Sequence, residues 1–237
     1  MSIAENVAAV RAQLTAAAVA AGRDPSTVRL CAATKMNDAQ AVREAIAAGI
    51  DLCGENRVQE LTQKLAENAY EGAEVHFIGR LQTNKVKQVV GKVSLIQSVD
   101  REKLLFALHD EAARQNIVQD ILLQVNIGYE KSKGGFPPEE IPEIVTKMSD
   151  FPNLRVKGLM AIPPIPQKSG ENLKFFQEMC NLSVDITRKK SDNVSMEILS
   201  MGMSDDFADA IACGATLVRL GTAIFGPRNY SATPHRE

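Results

Sequence analysis

The sequence predicts an α/β protein: one domain over residues 1–237, a (β/α)8 barrel of the TIM type with an extra N-terminal helix. Three observations carry this. Eight short apolar runs recur along the chain, and each interval between them has helical periodicity. The 237 residues match the ~250 that such a barrel commonly uses. Right-handed crossovers leave an open doubly wound sheet or a closed barrel, and a count of eight favours closure.

Residues 3–21 come first, with Ile3, Val7, Val10, Leu14 and Ala18 at helical spacing. Gly22-Arg23-Asp24-Pro25 ends that helix. Strands are then expected at 28–34, 50–53, 75–79, 93–97, 120–126, 155–161, 195–199 and 215–220. Helical patterns fill 38–48, 56–68, 83–90, 101–115, 138–149, 170–190 and 204–213. After the last strand only Ala223-Ile224-Phe225 remains before Gly226-Pro227, a weak final helix. Pro163 to Gly170 is the most loop-like stretch; the strand–helix rhythm resumes beyond it, so it reads as a long βα loop.

Bulk composition excludes several classes. A net charge of -2 offers no global attraction for nucleic acid or an anionic membrane. Lys85-Val86-Lys87 and Arg188-Lys189-Lys190 lack interleaved aromatics and read as solvated helix faces. Cys31, Cys53, Cys180 and Cys213 form no CxxC pair, and three of them sit in apolar contexts as buried free thiols. With no secretory signal or apolar span at the N-terminus, the expectation is a cytoplasmic chain. His76 reads as a satisfied core group, His109 as surface and His235 as tail, with no metal-ligand spacing. No exposed apolar helix is evident beyond 3–21, which favours a monomer.

Reactive groups in such barrels gather at the C-terminal ends of strands, with phosphate often held after strands seven and eight. Lys35 follows the first apolar run, Gly54-Glu55-Asn56 the second and Gly79 the third. Ser200-Met201-Gly202 and Gly221-Thr222 follow the last two, as hydroxyl-bearing turns able to hold a phosphate. Singly, each has a plainer reading: a rim lysine whose head stays in water, or a helix cap. Together on one rim they suit a ligand with an aldehyde for the lysine and a phosphate for the turns, pyridoxal 5′-phosphate. Lys35 starts near the core, where desolvation lowers an amine's pKa and frees it for a Schiff base. Arg219 shares a strand face with Leu217 and Gly221, so it needs a partner. That partner is either a carboxylate such as Glu197 or the ring nitrogen of the cofactor. Asp205-Asp206 read as acids at a helix start.

Four stretches go further: Val75 to Lys85, Gly158 to Pro163, Leu199-Ser200-Met201-Gly202-Met203-Ser204-Asp205-Asp206, and Val218 to Gly226. They closely resemble the pyridoxal phosphate homeostasis protein family, and the likeness runs from Lys35 to Gly226. The resemblance implies a barrel like the N-terminal domain of alanine racemase, with a Schiff base on Lys35. It implies phosphate contacts from Ser200, Gly221 and Thr222, with Asn56, Ile78 and Met201 lining the cofactor and Arg219 at the ring nitrogen. It implies a carrier that balances vitamin B6 vitamers and amino- and keto-acid pools, with apo pyridoxal-phosphate enzymes as recipients and no robust turnover. Met36-Asn37-Asp38, Arg80 and the Tyr129–Gly135 loop depart from the family pattern. The alternative is a pyridoxal-phosphate-dependent amino acid racemase. That chemistry needs a second base from a further domain, the chain ends shortly after its last strand, and Tyr70, Tyr129 and Tyr230 are in poor places for a base. A phosphosugar enzyme on the same barrel would leave Lys35 unexplained.

Overall fold

A computed structural model describes residues 1–130, 133–168, 170–188 and 192–227. Eight parallel strands close a barrel in sequence order: β1 (Arg29–Ala33), β2 (Leu52–Glu55), β3 (Glu74–Phe77), β4 (Leu95–Val99), β5 (Gln119–Val125), β6 (Leu154–Ala161), β7 (Val194–Ser200) and β8 (Leu217–Leu220). Closure is made by β8 on β1, from Arg29↔Leu217 to Ala32↔Leu220. β6 carries a register shift at Gly158, whose φ is +152° and where an added Cβ would lie 1.8 Å from the Ile198 carbonyl oxygen. Only glycine allows that approach.

The outer ring is α1 (Ile3–Ala20), α2 (Ala39–Ala47), α3 (Val58–Ala66), α4 (Glu102–Arg114), α5 (Ile141–Thr146), α6 (Leu173–Thr187), α7 (Phe207–Ala212) and α8 (Thr222–Phe225). α1 begins with a capping box: the Ser2 hydroxyl accepts from the Glu5 N–H, and the Glu5 carboxylate accepts from the Ser2 N–H. Its stripe of Val7, Val10, Leu14 and Ala18 is buried against α2, α7 and α8. α8 has only four residues, too short to cover the seam between β8 and β1. α1 lies where a full eighth helix would, and completes the ring.

Some expected elements moved. The strand expected at 50–53 starts at Leu52, because the Ile50 N–H bonds to the Ala45 carbonyl as part of the α2 exit. The helix expected at 83–90 is a 3-10 segment, Thr83–Gln88. Thr, Asn and Val are weak helix formers, and no side chain caps its start. The helix expected at 138–149 is α5 with 3-10 turns before and after it, since Pro138 and Pro142 lack the N–H a continuous helix would use. Cys31 and Cys53 are buried, but Cys180 on α6 and Cys213 at the α7 exit are half-buried, so two thiols rather than three lie inside. His109 is half-buried, not surface; its ring packs edge-on against Phe151. Lys189, Lys190, Tyr230 and His235 lie outside the described residues. Among the described residues, no helix is long and apolar enough to cross a membrane.

Alternation along the strands separates two cores. Outward residues pack under the helices; Cys31, Leu52, Ile78 and Leu217, then Leu95, Leu122 and Met160, fill the barrel. Polar groups share that interior. His76 is 3% exposed; its Nδ1 lies 2.8 Å from Gln97 Nε2, and its Nε2 lies 3.6 Å from Glu74.

His76 generates a pH prediction. Burial, with the nearby Arg29 acting in the same sense, pushes its pKa down to about 3 from 6.5. Below pH 6.5 the unfolded chain takes up a proton that the native barrel refuses, so its contribution to stability falls as pH drops toward the native value. Between pH 6.5 and 4.5 the loss from this group is roughly 2–3 kcal/mol. Urea midpoints across that window should fall less in His76→Asn than in the parent; equal slopes would place the acid sensitivity elsewhere.

Candidate functional site

Lys35 sits two residues past Ala33 and by alternation turns into the barrel mouth, as Cys31 does below it. Its neighbours are fixed from the outer side. The Thr34 N–H donates to the Gly54 carbonyl at 2.9 Å, and its hydroxyl donates to Glu55 Oε1 at 2.5 Å. The Thr34 carbonyl accepts from Lys64 Nζ at 2.8 Å. Met36, at φ +62°, donates its N–H to Glu60 Oε2 at 2.7 Å. The segment bearing Lys35 is therefore clamped to β2 and α3.

The clamp rests on a buried ion pair that sequence reading missed. Glu55 Oε1 also accepts from Lys64 Nζ at 2.5 Å and from the Tyr70 hydroxyl at 3.0 Å. Glu55 is fully buried and Lys64 is 5% exposed. From sequence, Glu55 reads as a rim group, and nothing singles out Lys64 within the helical pattern at 56–68. The available signal was parity: Gly54 faces inward, so Glu55 must face α3. Burial first, then Glu55, hold the Tyr70 phenol well above its ordinary range, so it stays protonated; its hydroxyl lies on Glu55 in the layer under the helices, away from the barrel mouth. Tyr129 is exposed and donates its hydroxyl to Glu139.

The mouth holds a cavity of about 500 Å³. Six of the eight expected residues line it: Lys35, Asn56, Ile78, Arg219, Gly221 and Thr222. Met203, Ser204, Ile162 and Phe225 join them. Ser200 and Met201 do not. β7 continues through Ser200, so its side chain stays inside the barrel one layer down; there its hydroxyl accepts from Arg219 Nη1 at 2.5 Å and donates to Gln97 Oε1 at 2.7 Å. Met201 then points outward, buried in the layer under the helices. The hydroxyl at the rim is that of Ser204, which is exposed. Sequence reading passed it over, although it lies in the same serine-rich turn.

Arg219 is 5% exposed, and its Nη2 donates to the Ala161 carbonyl at 2.8 Å. Burial brings its pKa down to about 10, which leaves it charged at neutral pH. Glu197 is not its partner: that carboxylate pairs with Lys157 at 2.6 Å on the outside. Asp206 stands at the N-cap position of α7 but makes no side-chain capping bond; its carboxylate instead accepts from the Met203 N–H and from Asn172 Nδ2, both at 2.7 Å. This fixes the turn that carries Ser204. On the other lip, α8 opens at Gly221, and first-turn amides of a helix lack intrahelical acceptors. Asn56 lines the wall with its Oδ1 buried and without a partner. A smaller chamber of about 240 Å³ adjoins, sharing Asn56, Ile78 and Ile162 and bordered by Arg80 and Asp100. Among the described residues, no cluster of three or more His, Cys, Asp or Glu could hold a metal.

An amine, a charged guanidinium and two hydroxyls around one cavity fit a ligand that combines an aldehyde, a ring acceptor and an anion. The comparisons agree. The family model described as alanine racemase, N-terminal domain, matches residues 3–229. A protein of Pseudomonas aeruginosa named pyridoxal phosphate homeostasis protein is 43% identical over 98% of this chain and 98% of its own. One of the same name from Aquifex aeolicus is 41% identical over 97% of this chain and all of its own. The solved structure of PipY from Synechococcus elongatus with PLP bound has a TM-score of 0.82 at 32% identity, covering 95% of this chain and all of that one.

The clamp behind Lys35 makes a stability prediction. Lys64→Met should cost about 3–5 kcal/mol, because Glu55 would stay buried without its counter-charge. Glu55→Gln added to Lys64→Met should recover most of that. Urea unfolding of the three variants tests it, and a double variant no more stable than Lys64→Met alone would dissolve the pair as the cause.

Proposed function

This chain belongs to the pyridoxal phosphate homeostasis protein family, and from that premise we propose how its barrel mouth holds the cofactor and what it does with it. The protein binds pyridoxal 5′-phosphate and serves vitamin B6 homeostasis. The observation that carries the site reading is the convergence of Lys35, Arg219 and Thr222 on one cavity. Bound there, the cofactor supplies an aldehyde that condenses with an amine, and Lys35 is the amine that engages it. Ser204, Gly221 and Thr222 take the phosphate. Asn56 and Ile78 flank the ring, and Arg219 faces its nitrogen. A guanidinium only donates, so the ring nitrogen opposite it remains an acceptor. Such a partner weakens electron withdrawal by the ring, unlike an aspartate, which would favour the protonated form.

The relatives carry names of homeostasis proteins rather than of enzymes. In our reading the protein is a cytoplasmic monomer, a single pyridoxal-phosphate-binding barrel domain that hands its cargo to apo enzymes. The free cysteines suit a reducing compartment. α1 hides its apolar stripe within its own ring, which suits a monomer. Ser204 and Thr222 are exposed at the lip, so the phosphate end would meet solvent and leave without an opening of the barrel.

Two experiments test this reading. Lys35→Ala should abolish the borohydride-fixed adduct while the circular dichroism persists; peptide mapping that finds the adduct mainly on another lysine would sink the assignment. Thr222→Ala and Ser204→Ala should each weaken retention of pyridoxal 5′-phosphate by about 10–150-fold, the loss of a hydrogen bond to a charged group. Pyridoxal, which lacks the phosphate, should be nearly indifferent. Equal losses for both ligands in equilibrium dialysis would make these residues structural.

A further inference from the structure

Within the barrel, four buried polar side chains form one continuous line from the cavity floor toward the opposite face: Arg219, Ser200, Gln97 and His76, each no more than 5% exposed. The direction of every hydrogen bond in it follows from the first. A guanidinium can only donate, so Ser200 Oγ accepts from Arg219 Nη1 at 2.5 Å. The serine proton then goes to Gln97 Oε1 at 2.7 Å. That fixes the amide, whose Nε2 donates to His76 Nδ1 at 2.8 Å. The imidazole must therefore be neutral with its proton on Nε2, and that nitrogen faces Glu74 at 3.6 Å. No member can reverse its role without leaving a buried donor or acceptor unmatched.

We propose that Ser200, Gln97 and His76 are positioning residues for Arg219, a fixed line of donors and acceptors that aims its remaining N–H groups at the ring nitrogen of the cofactor. Among the described residues, Arg219 is held by two hydrogen bonds, to Ser200 and to the Ala161 carbonyl. Without the first, the guanidinium can swing about the second and lose its aim. The sequence motif containing Ser200 thus works from beneath the cofactor, while Ser204 of the same turn works at the rim. The inference rests on the reading that Arg219 meets the ring nitrogen.

The test measures binding of two ligands, pyridoxal 5′-phosphate and its 1-deaza analogue, which has C–H in place of the ring nitrogen. The parent should prefer the nitrogen-bearing ligand, and Arg219→Met should erase the preference. A parent without preference, or an Arg219→Met protein that keeps it, removes the reading of Arg219 and the proposal with it. Given that control, Ser200→Ala and Gln97→Met should reduce the preference roughly tenfold, the effect of one lost hydrogen bond to a charged group. Affinity for the deaza analogue should hold, and Ser200→Thr, which restores a hydroxyl, should recover the preference. An unchanged preference in folded Ser200→Ala, or equal losses for both ligands, overturns the positioning role and leaves the Arg219 site standing. Should Gln97→Met fail to fold, Ser200→Ala decides alone. Nitrogen NMR of the full-length protein gives an independent reading: His76 must carry its proton on Nε2, and a proton on Nδ1 contradicts the line.

Discussion

The seam between β8 and β1 is the constraint on which the site depends. Residues nearly two hundred positions apart become neighbours through four consecutive pairs, Arg29↔Leu217 to Ala32↔Leu220. One register step past the last pair, the backbone of Gly221 meets that of Ala33; an added Cβ there would lie 3.2 Å from the Ala33 carbonyl oxygen. The amine on Lys35 and the hydroxyl on Thr222 come to one cavity for that reason. A slip of one residue would turn Lys35 into the helical layer and Thr34 into the mouth. Apolar burial resists the slip, because Ala32 and Cys31 would exchange a packed environment for each other's. α1 adds to this by covering the seam that the four residues of α8 leave bare.

The polar groups inside the protein are costly, and their placement explains why they are kept. Burying a charge is unfavourable unless it is paired and fully hydrogen-bonded, and even then the net gain is small. Two such systems lie on opposite sides of the β1–β2–β8 wall. Outside it, Lys64 and Glu55 hold the Thr34 backbone. Inside it, Arg219 is held by Ser200 and the Ala161 carbonyl. Neither system contributes much to stability that a packed hydrocarbon could not. Both instead fix direction: one orients the chain at Lys35, the other the guanidinium at the floor. Mobile side chains with one charge each would fill the same cavity without holding the two groups in one arrangement.

The barrel itself was legible because its signal is periodic and repeated. Apolar runs alternate with helical patterns over the whole chain, so a misplaced boundary at residue 50 or a 3-10 segment at 83 changes no strand order. Lys35 and Arg219 were legible for a related reason: each is a cation next to or within an apolar strand, and parity assigns its face. The serines were not. Ser200 and Ser204 share one short turn, and which hydroxyl meets the mouth depends on where β7 stops, a boundary that sequence places least well. The strand runs through Ser200, which keeps that side chain inside and lifts Ser204 to the rim. Glu55 and Lys64 were illegible because each belongs to a residue type usually found in water, and their pairing joins a strand to a helix across a packed interface.

The same geometry argues for a carrier over a catalyst. Efficient chemistry at the α-carbon of an amino acid wants a strongly withdrawing ring, a base on the far face and exclusion of water. Here the cation at the cavity floor is a guanidinium, which stays protonated at neutral pH even though burial brings it to about 10. A group that never gives up its proton to the ring helps it withdraw electrons less than full protonation of the nitrogen would. Tyr70 faces the helices and stays protonated, and Tyr129 is exposed with its hydroxyl on Glu139. The hydroxyls that would hold the phosphate lie at an open lip. Each of these features would leave retention intact, since in the proposed reading amine, hydroxyls and guanidinium all still bind. What they remove is assistance to the step after binding. In the proposed reading, a site built this way would hold its cargo by several weak contacts and one reversible covalent one, and would release it unchanged.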